Sequence, residues 1–368
     1  MKILFIAPIP PPIDGQSKAS KVLLDKLVEE NFNINIINLS KKNLKNGRLS
    51  LNRVFHILLI LIEVWRKRNN NDIIYLSLAE SFLGNMRDLA IYFICRKNLS
   101  RLYIHMLGGA GMKNILSGNG LQKRLNQYFI KKIAGVIVEG PINYETFSSA
   151  ISTDKIHIVP NFAEDFLFAE DAEIKSKFQH IEEINILYLS NLIPGKGYKE
   201  LIDAYINLDS ELKSRIKLTF VGGFESEQSK KIFLNKINPF KNVKYLGKFI
   251  DGEDKRKLYL DSHIFCLPTY YPFEGQPISI LEAYATGCVV VTSNHSGIPF
   301  IFKDLKNGFL VNEKSPSSIE SAIAKAYTQK NYLIYTALNN KNEAFLMYRT
   351  THFQNKILDI FRTKIELR

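Results

Sequence analysis

Short apolar runs alternate with helical patterns through the first half of the chain. Most residues of the runs are apolar, as in buried strands, whereas the segments between them repeat apolar residues every three or four positions, as amphipathic helices do. The predicted strands are 2–7, 34–39, 73–78, 102–106, 135–139 and 155–159. The predicted helices include 17–30, 51–68, 82–96 and 121–133. This alternation predicts a parallel, doubly wound α/β sheet with helices on both faces.

A second series of the same kind follows an acidic, irregular segment at residues 164–183. Its predicted strands are 184–190, 217–221, 243–246, 264–268, 289–292 and 309–311. Its predicted helices include 198–208, 225–237, 255–262, 277–286 and 317–329. The pattern predicts two domains, 1–163 and 184–345, joined by a linker at 164–183 and followed by a final segment, 346–368. Two domains also suit a chain of 368 residues, because single hydrophobic cores stop growing at about 250–300 residues.

The formal net charge of +13 favours anionic partners, namely nucleic acid, phosphorylated substrates or an acidic membrane surface. The lysines are scattered and no RNA- or DNA-binding motif accompanies them, so we predict no nucleic-acid partner. Cys95, Cys266 and Cys288 lie in apolar segments without a CxxC spacing, which indicates buried thiols in a reducing compartment and no zinc site. The first residues have the pattern of a strand rather than a secretory signal, and we expect a cytoplasmic protein.

An unusually apolar segment, 54–65, is preceded by Arg53 and followed by basic residues at 66–68. About 12 residues are too few to cross a bilayer, which takes about 20. Two interpretations stay open. The segment is either a buried helix packed on the sheet or a helix that lies partly on an anionic membrane, with its basic flanks at the headgroups.

Ligands of open parallel sheets bind beyond the carboxyl ends of the strands, and four loops of the second half lie there. Loop 190–197 places Lys196 close to a helix N-terminus, where main-chain N–H groups and the helix dipole favour an anion. Glycines at Gly222 and in segment 247–249 would let a ligand approach the main chain, although glycines after strands also simply make turns. The fourth loop contains Glu274.

The helix that follows Glu274 carries a second carboxylate on an apolar face. Pro277 marks its first turn, where proline's missing N–H costs nothing. Glu282 falls four residues after Ile278 on the same face, and it is the only charged residue from 275 to 293. A carboxylate on a face meant for burial is costly unless something binds it. The two acids therefore predict a polar ligand site.

The first half offers two further candidates. Gly15 lies between the first strand and the first helix, where its main chain would approach a phosphate. The alternative is a connection that is merely stiffened by prolines 10–12. His105 ends a strand beside two glycines, which suits contact with a ligand better than most lone histidines, although a lone histidine is usually structural.

Several motifs occur in a fixed order in the second half. Glu274 and Glu282 form an E-x7-E pair, a P-G-K-G loop precedes them at 194–197, and N-G-F-L-V follows at 307–311. This arrangement resembles the retaining GT-B glycosyltransferases of family 4, which join sugars from nucleotide donors to glycans or lipids. The resemblance implies two Rossmann-like domains that face each other across a cleft. It also implies that the first domain binds the acceptor, that the second binds the nucleotide-sugar, and that the C-terminal helix crosses back to the first.

The resemblance also implies a role for each candidate residue. Lys196 would neutralise the donor's diphosphate, Glu274 would face the transferred sugar, and His105 would contact that sugar from the first domain. Glu282 would accept hydrogen bonds from the ribose hydroxyls. The remaining donor-binding candidates are Gly15, Asn191, Gly222, Phe249, Gly275, Gln276, Pro277 and Ile278.

Asn191 departs from the family's pattern, which commonly has an arginine five residues before the lysine. Only Lys196 then supplies a formal charge from this loop. Either another cation, such as Lys248, compensates, or the leaving group is stabilised less.

We predict a metal-independent, retaining hexosyl- or N-acetylhexosaminyl-transferase without a cofactor. Its donor is a nucleotide diphosphosugar, with a UDP-sugar favoured, and its acceptor is a lipid-linked or growing surface glycan. We expect it in the cytoplasm, with the inner face of the cytoplasmic membrane as a candidate surface. Three alternatives stay open, namely a sugar-nucleotide epimerase on the same scaffold, a non-catalytic sugar-nucleotide-binding subunit, and a glycosidase that uses Glu274 and Glu282.

Overall fold

The computed structural model describes residues 1–40, 51–79, 81–247 and 250–366. The chain divides into two compact units, Met1–Asn161 with Thr351–Arg368, and Phe162–Thr350. Each unit is built on a six-stranded sheet, and the paired strands of both sheets are parallel. The predicted class, an α/β protein with two Rossmann-like parallel sheets, is confirmed.

The strands of the first unit are β1 (Lys2–Ala7), β2 (Asn33–Asn38), β3 (Ile73–Ser77), β4 (Leu102–Met106), β5 (Gly135–Val138) and β6 (Ile156–Ile158). The helices between them are α1 (Gly15–Glu29), α2 (Leu51–Lys67), α3 (Phe82–Ile94), α4 (Ala110–Ser117), α5 (Leu121–Ile130) and α6 (Pro141–Ser148). In the sheet the order is β2-β1-β3-β4-β5-β6. Strands β3 and β4 are buried at every position, which explains their nearly continuous apolar sequence.

The strands of the second unit are β7 (Ile184–Leu189), β8 (Ile216–Val221), β9 (Val243–Tyr245), β10 (Ile264–Leu267), β11 (Val289–Ser293) and β12 (Gly308–Val311). Its helices are α7 (Asp171–Lys177), α8 (Tyr198–Asn207), α9 (Ser210–Arg215), α10 (Glu227–Ile237), α11 (Gly252–Leu260), α12 (Ile278–Ala285), α13 (Pro316–Thr328) and α14 (Lys330–Met347). The sheet order is β12-β11-β10-β7-β8-β9. One hydrophobic core packs the helices on this sheet.

The last helix, α15 (Thr350–Glu366), returns to the first unit. The ring of Phe361 packs against those of Tyr75 and Tyr103 on β3 and β4. The side-chain amide of Gln354 donates to the main-chain oxygen of Val22 on α1 over 3.0 Å. The C-terminal residues therefore complete the core of the unit in which the chain begins.

The segment 164–183, predicted as a linker, lies inside the second unit. It contains α7, and the side chains of Leu167 and Ile174 are fully buried. The amine of Lys177 donates to the main-chain oxygens of Thr286 (2.8 Å) and Gly287 (3.1 Å) after α12. The acidic surface residues of the segment mask these few apolar anchors in the sequence, which is why the periodicity is weak there. Among the described residues, every helix is either too short or too polar to pass through a lipid bilayer.

Candidate active site

Strands β7 and β10 are neighbours at the centre of the second sheet although they are far apart in the chain. The strand order reverses between them, and ligands of open parallel sheets usually bind at such a reversal. The loop after β7 contains Lys196, and the loop after β10 contains Glu274. The topology therefore brings together the two loops that carry the predicted charges.

Buried contacts hold the loop after β7 against the end of β10. The hydroxyl of buried Tyr188 donates to the main-chain oxygens of Asn191 and Lys196, at 3.2 Å from each. Gly197 precedes α8 with a φ of +79°, and a Cβ at this position would lie 2.2 Å from the oxygen of Pro268. Only glycine combines this conformation with this approach, so a side chain here would displace the loop.

The loop after β8 runs beside the loop after β7. The N–H of Leu192 donates to the oxygen of Gly223 over 2.8 Å. Gly222 has a φ of +148°, and a Cβ there would lie 1.8 Å from the oxygen of Ser190. Gly222 thus has a structural reason to be glycine, and its part in donor binding stays a prediction. The side chain of Asn191 is exposed beside this contact.

Lys196 and Glu274 form an ion pair between the two central loops. The lysine Nζ lies 2.7 Å and 2.9 Å from the two carboxylate oxygens, and the hydroxyl of Thr269 donates to one of them over 2.8 Å. The two charged side chains are only 14% and 8% exposed. Because water is largely excluded, each charge relies on the other, and removing one leaves an unpaired charge with little hydration.

The N-terminus of α12 begins directly after this pair. Pro277 is the N-cap residue and has no side-chain cap. The first N–H groups of a helix have no intrahelical acceptor and favour an anion. The preceding turn is fixed because the hydroxyl of Ser296 donates to the oxygen of Glu274 and because Gln276 is buried. The predicted residues 275–278 therefore lead from Glu274 into the first turn of α12.

Glu282 is buried on α12, as the sequence predicts, but protein groups already bind its carboxylate. The Nζ of Lys255 lies 2.9 Å from one oxygen, and the hydroxyl of Tyr259 donates to the other over 3.1 Å. Burial, reinforced by the charge of Glu282, holds the pKa of Tyr259 well above its usual value, so this phenol stays a donor. Ribose binding by Glu282 stays a prediction.

Three further polar residues of the site, Thr269, Lys255 and Tyr259, do not stand out in the sequence. Lys255 and Tyr259 are four residues apart on α11 and so project from one helical face towards Glu282. The four-residue spacing of Lys255 and Tyr259 is visible in the sequence, but nothing in the polar residues around Lys255 indicates that its side chain is buried. Thr269 follows β10 within two residues, and its position after a central strand was the available signal.

His105 lies inside the first unit and has no exposed surface, which differs from the predicted contact with a sugar. Its Nδ1 lies 2.6 Å from the Tyr75 hydroxyl, and its ring stacks on Phe353 of α15. Side chains alternate along a strand, so His105 shares with Tyr103 the face that α15 covers. Burial lowers the pKa of His105 to about 3, so the imidazole is neutral at physiological pH.

Gly15 is the first residue of α1 and follows β1 at the point where the strand order of the first sheet reverses. Asp14 is the N-cap and accepts the N–H of Ser17 over 2.7 Å. The amide of Gln16 donates to Ser77 and Leu78 at the end of β3. Gly15 thus lies in a well-fixed turn, and its approach to phosphates stays a prediction.

The predicted residues therefore fall into three groups. Lys196, Glu274 and residues 275–278 come together in the second unit, whereas Gly15 and His105 belong to the first. Phe249 and Lys248 lie outside the described residues.

Residues 170–343, just under half of the chain, match the family model described as glycosyl transferases group 1. An uncharacterized glycosyltransferase of Methanocaldococcus jannaschii is 31% identical over 174 residues, which are 47% of this chain and 43% of the relative. The capsular polysaccharide biosynthesis glycosyltransferase CapH of Staphylococcus aureus is 27% identical over 172 residues, 46% of this chain and 47% of the relative. The chain thus spans about half the length of the curated relatives it matches.

A similar fold occurs in the crystal structure of Anabaena HepE in complex with UDP and glucose. The two chains align with a TM-score of 0.70 over 99% of this chain and all of that one, at 17% identity. Residues 170–343, which match the family model, contain Lys196, Glu274 and Glu282. The part of the chain that resembles the family is therefore the part that holds the two lysine–glutamate pairs. Residues 170–343 of this chain are therefore similar to the glycosyl transferases group 1 family, and the chain has the GT-B type of fold.

Proposed function

We propose that the protein is a retaining glycosyltransferase of the family 4 type. It moves a hexose or N-acetylhexosamine from a nucleotide diphosphosugar, with UDP favoured, to a lipid-linked or growing surface glycan. The observation that carries this proposal is the Lys196–Glu274 pair beside the N-terminus of α12, inside the glycosyl transferases group 1 domain. The similar structure with UDP and glucose and the relative named for capsular polysaccharide biosynthesis support the choice of donor and acceptor.

Donor binding exchanges the partners of the ion pair in this proposal. Without a donor, the ammonium of Lys196 is bound by both oxygens of Glu274. The diphosphate of a donor carries more negative charge than one carboxylate and attracts the ammonium. Glu274 is then released to accept hydrogen bonds from hydroxyls of the sugar. The pair therefore holds both groups in place before they meet the substrate.

Catalysis is largely electrostatic. The bond from the sugar's anomeric carbon to the diphosphate breaks, and the acceptor oxygen bonds to that carbon on the same face. The acceptor's proton passes to a departing phosphate oxygen, so no separate base is needed. Lys196 and the N–H groups of α12 stabilise the charge that develops on the leaving group. We propose that this suffices without a metal ion or cofactor.

The remaining assignments follow the resemblance to family 4. Glu282 accepts from the ribose, and Gly222 lies near the phosphates. The assignments of Gly15 to a phosphate and of Phe249 to the base stay predictions from the resemblance. His105 has no place in the proposal, because its buried side chain packs under α15. A lipid-linked acceptor and the net charge of +13 fit a protein that works in the cytoplasm on the inner face of the membrane.

A second candidate function is a non-catalytic subunit that binds a sugar nucleotide. Asn191 favours it, because its exposed amide stands where the family commonly has an arginine and adds no charge for a leaving group. This subunit would bind the donor through the same loop without transferring the sugar.

Turnover of UDP-, GDP- and ADP-sugars tests the proposal. We expect release of the nucleotide diphosphate with a polyprenyl-diphosphate-linked sugar as acceptor, and a rate at least about 100-fold lower in Lys196→Ala and Glu274→Ala. Lys199→Ala is the matched control, since Lys199 is an exposed lysine of α8 three residues further on. Wild-type rates in folded variants would overturn the assignment. Donor binding without transfer would favour the non-catalytic subunit, and conversion of the donor without an acceptor would favour an epimerase.

A further inference from the structure

Helix α2 has two apolar faces, of which only one is buried. Ile60 and Val64 pack into the core of the first unit. The opposite face exposes Phe55, Leu58, Ile62 and Trp65, at spacings of i, i+3, i+7 and i+10, with Phe55 63% and Trp65 57% exposed. A helix of a soluble domain normally presents polar residues on its outer side. The exposed stripe therefore indicates a partner.

Helix α3 packs beside α2 and extends this surface. Its exposed apolar residues are Phe82, Met86 and Phe93, which lie at i, i+4 and i+11 and so share one face. Large contiguous apolar surfaces on soluble proteins usually mark an interaction site. The two helices together present one apolar surface rather than isolated side chains.

Cations surround one end of this surface. A groove of about 400 Å³ is lined by Trp65, Arg68, Asn69, Phe93, Ile94, Arg96 and Lys97. The guanidinium of Arg68 lies 5.0 Å from the centre of the Trp65 ring, and that of Arg96 lies 4.9 Å from the centre of the Phe93 ring. Among these lining residues there are three cations and no acid, so the groove suits an anionic group such as a phosphate.

We propose that α2 and α3 form a docking face for an anionic phospholipid bilayer. The docking face consists of Phe55, Leu58, Ile62, Trp65, Phe82, Met86 and Phe93, with Arg66, Arg68, Arg96 and Lys97. The apolar side chains enter the boundary of the acyl chains, and the cations meet the phosphates of the headgroups. Tryptophan beside basic residues is typical of the interface between water and lipid.

The positive charge of the docking face favours an anionic bilayer, rather than a second copy of this chain, as its partner. Two copies that met through this face would bring their arginines together, and each chain already carries a net charge of +13. An anionic bilayer is complementary both to the apolar stripe and to its basic end. The role of this contact rests on the proposed function, because it would hold the unit predicted to bind the acceptor next to a lipid-linked substrate.

Trp65 makes the proposal directly measurable, because it is the only tryptophan among the 368 residues. We expect its fluorescence to shift to shorter wavelength when the full chain meets vesicles of equal parts phosphatidylglycerol and phosphatidylcholine, and to change little with phosphatidylcholine alone. Raising the ionic strength from about 0.05 M to about 0.5 M should weaken binding, since screening then acts over a few ångströms. Equal binding to both vesicles would overturn the proposal.

Two matched variants test which surface binds. Ile62→Glu places a carboxylate in the docking face and should weaken vesicle binding at least about tenfold. Ile232→Glu changes an isoleucine of α10 that is 63% exposed in the second unit, and it should bind as the wild type does. An equal loss of vesicle binding in both variants would overturn the proposal. So would a protein that forms a dimer and whose Trp65 emission does not change when vesicles are added. Thermal unfolding checks that both variants are folded.

The outcome separates the docking face from the proposed function, because vesicle binding is measured without any donor. Vesicle binding in a protein that never transfers sugar supports the docking face and overturns the transferase. If the protein transfers sugar to a water-soluble acceptor but does not bind anionic vesicles, the transferase is supported and the docking face is overturned.

Discussion

Two buried carboxylates of the second unit, Glu274 and Glu282, are eight residues apart, and each is bound by a lysine. The partner of Glu274, Lys196, comes from the loop after β7, and its side chain is 14% exposed. The partner of Glu282, Lys255, comes from α11, is 6% exposed and also binds Glu164 at 3.1 Å. The same two residue types thus form one pair between two loops and one pair between two helices.

The two pairs differ in how easily a ligand can replace one of the partners. A pair between two loops needs only side-chain rotations to accept a ligand in place of one partner. Lys255 and Glu282 are fixed by α11 and α12, so separating them would leave charges in an apolar environment at a cost of several kcal/mol. We infer that the Lys196–Glu274 pair serves substrate binding, and that the Lys255–Glu282 pair holds the two helices in position around it.

Replacing Lys255 by methionine should have the largest effect on stability. Glu282 would keep the hydroxyl of Tyr259 but lose the ammonium of Lys255, and removing one partner of a buried ion pair typically costs about 3–5 kcal/mol. The free energy of unfolding, measured in urea, should fall by roughly this amount.

Lys257→Met is the control, because Lys257 is an exposed lysine of the same helix, and it should change stability by less than about 0.5 kcal/mol. The double variant Lys255→Met with Glu282→Leu should recover most of the loss, since an apolar pair often replaces a buried ion pair without cost. A single variant as stable as the wild type would show that the pair does not hold the helices together.

Replacing Lys196 by methionine should cost less stability, on the order of 1–2 kcal/mol. Glu274 keeps its hydrogen bond from Thr269, and its side chain is 8% exposed, against 4% for that of Glu282. The same variant should lose most of the stabilisation that UDP gives the wild type, which is about 2.7 kcal/mol at 100 times its Kd. A loss of stability as large as that of Lys255→Met would remove the contrast between the two pairs.

Much of this site could be predicted from the sequence because its signals are local. The spacing of Glu274 and Glu282 and the glycines around Lys196 are readable within short segments. Apolar runs predict the strands, and the carboxyl ends of parallel strands lie at one edge of a sheet. Local patterns therefore identified the loops that the topology later brings together.

The partners of the charges could not be predicted, because they depend on contacts between distant segments. Lys255 is buried where α11 brings it against Glu282 of α12, and His105 is buried where α15 returns to the first unit. The helix α14 was absent from the predicted elements, since its apolar residues are spread around the axis rather than on one face. Burial is a property of the assembled fold, and the sequence alone did not reveal it.

Of the three replacements, Thr269 by valine should have the smallest effect on stability, and it tests how Glu274 is held. The hydroxyl of this buried residue donates to Glu274 over 2.8 Å, and valine keeps its shape without the donor. We expect a loss of about 1 kcal/mol in unfolding free energy, and a lower kcat with unchanged affinity for UDP because Glu274 is no longer held towards the sugar. Thr292→Val is the matched control, since Thr292 is equally buried but donates to Leu267 on the neighbouring strand. It should lose similar stability and keep the wild-type kcat, so equal kcat values in the two variants would mean that Thr269 does not position Glu274.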